Sequence, residues 1–197
     1  IVCFEPSPQA FKKLSKNFAS ITKNDNPRVK IYNIGLIGNL KKKRENRSKI
    51  IKKNIYSNRK GSDLGSLIKN DGAKIKEKGN FIEVDQVKRF VDKKVVGIKL
   101  DVEGYEFSIM KSLTRIFQDP DFIVLQFEFG VKTAEAHINF KEIYDFLIIN
   151  NFKIVHSKYI CNSLFVLMNL NNIIYNCFIC FPSPRPIFFY GGIQYVC

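Results

Sequence analysis

The sequence predicts an α/β domain built on a mostly parallel sheet that closes with one antiparallel pair. Three observations carry this. Short β-branched and aromatic runs alternate with segments whose apolar residues recur at helical spacing, at Phe11, Leu14 and Phe18 and again at Phe107, Met110, Leu113 and Phe117. The runs at 1–5, 29–34, 95–100 and 122–127 are apolar almost throughout, as strands covered on both faces must be. The last two runs, 153–156 and 164–168, have no helix between them, so they pair antiparallel.

Taken in order, residues 1–5 form the first strand, and the Pro6-Ser7-Pro8 turn opens a helix with lysines on its outer face. Asp25-Asn26-Pro27 separates that helix from a strand over 29–34 that ends at Gly35. Residues 41–60 hold ten basic residues against one acid, Glu45, and read as a solvated excursion or a pair of exposed strands. After the turn-rich 61–66 come a short strand at 81–84 and a helical turn at 86–91. The strand at 95–100 ends in Asp101, and Gly104 precedes the helix carrying Phe107 to Phe117, which Asp119-Pro120 stops. A strand at 122–127 ends at Glu128 and Gly130, and Phe140, Ile143, Tyr144, Leu147 and Ile148 mark the next helix. The domain is expected over 1–169, with 170–197 given no element because it is rich in proline and aromatics and has no period.

Composition bounds the function less sharply. The chain of 197 residues carries 32 Lys and Arg against 18 Asp and Glu, a net charge of +14 that would attract nucleic acid, anionic surfaces or acidic substrates. The lysines are spread along the chain beside many Asn and Ile, as AT-biased coding would produce, and the 41–60 stretch has only Tyr56 to stack on a base. A nucleic-acid-binding module is thus an alternative the sequence argues against. Five cysteines, an odd number at low density, fit a reduced, cytoplasmic setting. The lone Cys177-x-x-Cys180 lacks the second pair or His that a zinc site needs, and no metal is expected. Asn46-Arg47-Ser48 matches a glycosylation acceptor without a signal peptide to bring it into use. No apolar run is long enough to span a membrane. His137 and His156 stand alone and read as packing or surface residues.

In open α/β sheets ligands bind beyond the carboxyl ends of the strands, and here those ends are acidic. Glu5, Asp101 and Glu128 each follow an apolar run, with Glu103 and Glu106 one turn beyond Asp101. Glu5 can accept both hydroxyls of a ribose diol, or cap the helix that follows. Asp101, Glu103 and Glu106 can serve a site or favour the positive end of the next helix. Lys99 is placed to neutralise these acids rather than to react.

These residues also carry a resemblance. Val2-Cys3-Phe4-Glu5-Pro6-Ser7-Pro8 with Phe11, Leu14 and Asn17 is similar to the "FEP-x-P…L…N" segment of the FkbM family of S-adenosylmethionine-dependent methyltransferases. The run from Gly97 through Lys99, Asp101, Glu103 and Gly104 to Glu106 resembles that family's "iKiDvEGaE" signature, and residues 33–36, 81–90 and 123–128 resemble its remaining segments in order. The resemblance implies a class I methyltransferase (Rossmann-like) fold and S-adenosylmethionine as cofactor. It places Glu5 at the ribose, residues 33–36 beside the adenine and Asp101 and Glu103 near the methyl group, which makes Glu5, Pro6, Asn33, Gly35, Leu36 and Asp101 the candidate cofactor-binding residues and Asp101, Glu103 and Glu128 the candidate catalytic carboxylates. The acceptor it implies is a hydroxyl, less readily an amine, of a sugar, glycolipid or small metabolite. A nicotinamide dehydrogenase would use Glu5 in the same way, but would have neither the Asp101 to Glu106 segment nor an antiparallel final pair. The resemblance begins at the family's second strand, and no G-x-G-x-x-G occurs in the chain. An N-terminally truncated domain, lacking the first strand and glycine-rich loop and binding cofactor poorly, is therefore expected, with an inactive fragment as the alternative to an active enzyme.

Overall fold

The computed structural model describes residues 1–21, 29–40, 50–57, 65–69, 72–158, 163–169 and 195–196. The glycosylation match at Asn46, the pair Cys177 and Cys180, residues 61–64 and most of the 170–197 segment lie outside the described residues.

The chain opens with β1 (Val2–Phe4), buried along its length, and α1 (Pro8–Ile21). Ser7 caps α1, its hydroxyl accepting from the Ala10 amide at 3.1 Å, and Pro8 fills the first helical position where no amide hydrogen is needed. Phe11, Leu14 and Phe18 are half-buried while Lys12, Lys13 and Lys16 are exposed, as their spacing predicts. β2 (Lys30–Tyr32) then pairs parallel with β1, in register Val2 with Lys30 and Phe4 with Tyr32.

The predicted strand over 29–34 is shorter than its apolar run, and the chain starts a second strand, β3 (Gly35–Ile37), in a different sheet. Asn33 turns the chain there, donating its side-chain amide to the Glu5 carbonyl at 2.9 Å. The second sheet also holds β4 (Ile51–Ser57) and β5 (Lys74–Glu83), in the order β3-β5-β4, with β4 antiparallel to β5. Of the two readings of the basic stretch, one strand is present among its described residues, half-buried along most of its length with Lys52 exposed and Ile55 buried. Its partner is the ten-residue β5, of which only the apolar end is legible in sequence. A 3-10 helix (Val84–Arg89) follows, burying Val84, Gln86 and Val87.

β6 (Gly97–Leu100) and β7 (Val124–Phe129) pair parallel, and β7 continues antiparallel with β9 (Ser163–Asn169), which pairs antiparallel with β8 (Phe152–Lys158). The short β10 (Tyr195–Val196) lies parallel between β1 and β6, so the large sheet runs β2-β1-β10-β6-β7-β9-β8. An α/β fold with a mixed sheet and an antiparallel end is thus present as expected. Two residues of the segment to which the sequence assigns no element stand inside the sheet, between β1 and β6.

The single helix expected after Gly104 is two, α2 (Glu106–Ser112) and α3 (Thr114–Phe117). Leu113 leaves the helical region between them, at φ −92° and ψ 2°, without taking its side chain out of the core. Phe107, Met110, Leu113 and Phe117 are all buried against Leu125 and Phe127 of β7 and against Ile143 and Leu147 of α5 (Phe140–Ile149). Phe117 meets Phe152 edge-on at 5.0 Å between ring centres. α4 (Val131–Glu135) joins β7 to α5. No helix among the described residues is long and apolar enough to cross a membrane.

Candidate functional site

The tips of β1 and β6 meet the small sheet across a cleft of about 280 Å³. Phe4, Leu36, Leu100 and Ile109 give it an apolar floor, Glu5, Asp101 and Glu103 an acidic rim, and Ile55, Phe81 and the 65–67 segment its far wall. Gly35 sits where any side chain would collide, its Cβ falling 2.4 Å from the Phe81 ring and 2.7 Å from Pro6. That contact closes the cleft between the two sheets.

Glu5 projects from the end of β1. One carboxylate oxygen accepts from the Ser7 amide at 2.7 Å, so Glu5 braces the residue that caps α1 rather than the helix amides themselves. The other oxygen has no partner among the described residues and is the one available to a ligand. Burial is the largest influence on Glu5 and raises its pKa; the Ser7 amide opposes the rise, and Glu77 adds to it. Glu77, from β5, accepts from the Ser7 hydroxyl and stands at the start of α1, where the helix dipole favours negative charge.

The acidic loop after β6 is held by three devices. Glu106 is 2% exposed and turns its carboxylate back to accept from the Val102 amide at 3.1 Å and the Gly104 amide at 3.0 Å. It fastens the loop rather than facing the cleft. Glu103 and Gly104 adopt positive φ, 53° and 100°, so the chain doubles back sharply. Buried Ser66 donates its hydroxyl to the Glu103 carbonyl at 2.7 Å and accepts from the Ile68 amide at 3.0 Å. Ser66 also bridges to Tyr56 through both backbone groups, which ties the acidic loop to β4.

Asp101 is half exposed, with Lys99 Nζ 3.2 Å from its carboxylate, the neutralising contact expected of that lysine. Glu128 lies inside β7 rather than past its end, because the strand runs on to Phe129. It shares a hydrogen bond with Asp101. Burial first, then the charge of Asp101 and that hydrogen bond, raise its pKa. Glu103 is raised likewise, by burial and then by Asp101 and Glu106. A proton shared among neighbouring carboxylates is the expected result.

Of the residues singled out from sequence, Glu5, Pro6, Gly35, Leu36, Asp101 and Glu103 line the cleft together. Asn33 does not line it but steadies the tip of β1, and Glu128 stands against Asp101 from the neighbouring strand. Sequence reasoning missed Ser66, Leu67, Tyr105 and Glu77. Gly65-Ser66 marks a turn, but nothing in one sequence says that the turn folds over a distant loop. Among the described residues no cluster of His, Cys, Asp and Glu could hold a metal ion.

The Methyltransferase FkbM domain matches residues 1–154. The chain belongs to the FkbM methyltransferase family. A solved FkbM methyltransferase from Methylobacillus flagellatus KT shares its fold, with a TM-score of 0.52 over 85% of this chain at 13% sequence identity. The match covers 36% of that protein, so the chain spans little more than a third of its length. No curated protein matches the sequence. The FkbM segments recognised in sequence, around Glu5 and from Gly97 to Glu106, end in the two strand tips that line the cleft opposite the small sheet.

Proposed function

We propose that this FkbM domain transfers a methyl group from S-adenosylmethionine to a hydroxyl, less readily an amine, of a sugar, glycolipid or small metabolite in the cytoplasm. The observation that carries the proposal is an acidic cleft in a strongly basic protein: Glu5, Asp101 and Glu103 on one rim, in a chain of net charge +14. Such a rim repels anionic ligands locally and favours a cation such as a sulfonium. The apolar floor suits an adenosyl group, and the open oxygen of Glu5 suits a ribose hydroxyl. When bound, the cofactor supplies an electrophilic methyl carbon.

The protein's own part is alignment and proton removal. Glu5 orients the ribose from the tip of β1, with Asn33 holding that tip. Pro6, Gly35 and Leu36 shape the wall beside it. Asp101 takes the acceptor's proton, with Lys99 Nζ 3.2 Å from its carboxylate and Glu103 and Glu128 beside it. General-base assistance of this kind contributes roughly 10²- to 10⁴-fold.

Asp101→Asn is therefore expected to lower kcat by about that factor while leaving donor binding within a few fold. Transfer of labelled methyl to a panel of sugars and glycolipids measures the first, and equilibrium binding of the donor the second. Undiminished turnover in the variant would remove Asp101 from the chemistry.

A further inference from the structure

The outer face of the β4–β5 hairpin forms no part of the cleft. Cross-strand pairing sorts its side chains. Ile51 with Phe81, Lys53 with Gly79 and Ile55 with Glu77 face inward, and Ile55, Gly79 and Phe81 are buried there. Lys52 with Asn80, Asn54 with Lys78 and, past the irregularity at Ile55 and Tyr56, Tyr56 with Ile75 face outward.

On that outward face Lys52, Lys78 and Asn80 are exposed, and Ile75 is 58% exposed. Ile50, next to the start of β4, extends the apolar exposure at the other end of the hairpin, at 53%. Both acids of β5 lie at inward positions: Glu77 pairs with Ile55, and Glu83 is two residues on from Phe81.

We propose that this hairpin face docks on an anionic lipid surface. Lysines interspersed with exposed aliphatic side chains match charged headgroups above an apolar layer. A nucleic acid would use the lysines but gain nothing from Ile50 and Ile75, and Tyr56 alone offers a stacking platform. The same hairpin supplies Ile55 and Phe81 to the cleft wall, so docking brings the cleft close to the bilayer. The proposal goes beyond methyl transfer and does not depend on it.

Sedimentation with phosphatidylcholine vesicles, with and without about a quarter phosphatidylserine, tests it. The parent protein is expected to partition onto the anionic vesicles only, and less as salt rises. At about one power of five in partition per lysine, the double variant Lys52→Ser/Lys78→Ser should lose roughly thirty-fold. Ile75→Ser should lose several-fold at unchanged charge. Lys12→Ser/Lys16→Ser, which removes two exposed lysines from α1, should lose little. Equal loss in the α1 variant, equal binding to both vesicle types, or retention by RNA through Lys52 and Lys78 without vesicle binding would each overturn the proposal. Thermal unfolding of the hairpin variants at the parent temperature shows that the losses are not failures of folding.

Discussion

Gly104→Ala is expected to destabilise the protein by roughly 2 to 4 kcal/mol, the sum of backbone strain and overpacking. At φ +100° an L-residue is strained before any contact is considered. The added Cβ would also lie 2.6 Å from the Lys132 carbonyl oxygen and 2.5 Å from Ile68 Cδ1. A side-chain methyl can shift, but the backbone of α4 cannot do so cheaply. Urea unfolding measures the loss, and the melting temperature should fall by about 5 to 15 °C for a domain of this size. Because the strained turn also carries the Glu103 carbonyl that Ser66 binds, the acidic rim should loosen even where the variant stays folded. A variant with parental stability would show that the turn is not held as described.

Acidification from neutral pH is expected to stabilise the fold while weakening its hold on a cationic donor. Burial raises Glu5, Glu103, Glu106 and Glu128 above their ordinary values. A carboxylate raised in the folded state binds more protons folded than unfolded between its two pKa values, so stability falls as pH climbs through that window. The ionised form bears the full penalty above the raised value and is relieved of it below the ordinary carboxylate range. Asp92 is shifted the other way by its own backbone and by Lys30, but it is fully exposed and contributes little. Donor affinity follows the opposite course, since protonating the rim removes the charge that attracts a sulfonium. Unfolding and donor titrations across mildly acidic to neutral pH should show curves of opposite slope. Glu128→Gln should flatten both, because it removes one of the carboxylates that burial raises. Parallel slopes would contradict the electrostatic description of the cleft.

How far the sequence foretold this arrangement differs between its parts. The large sheet was legible because its strands are covered on both faces and therefore apolar throughout, as in Val2, Cys3 and Phe4. Strand tips could be read for the same reason: Glu5 and Asp101 interrupt apolar runs, and both reach the cleft. The small sheet was harder. β5 begins with Lys74, Ile75, Lys76, Glu77 and Lys78, whose polarity reports an outward face and an intersheet seam rather than a buried strand. Ser66 and Glu106 act through hydrogen bonds to backbone groups, and such bonds leave no hydrophobic period to detect. Leu113 keeps the helical apolar spacing although the helix breaks there, since its side chain stays in the core. Tyr195 and Val196 had no signal, because two residues cannot show alternation.

Glu5 offers the sharpest examination of the cleft as an adenosyl site. Adenosine and 2′,3′-dideoxyadenosine would be titrated calorimetrically into the parent protein and into Glu5→Ala. With the carboxylate on the ribose, loss of the diol should cost the parent about ten- to hundred-fold in affinity, the worth of hydrogen bonds to a charged group, and cost the variant almost nothing. Equal discrimination between the two nucleosides by both proteins, or binding of neither by the parent, would contradict it.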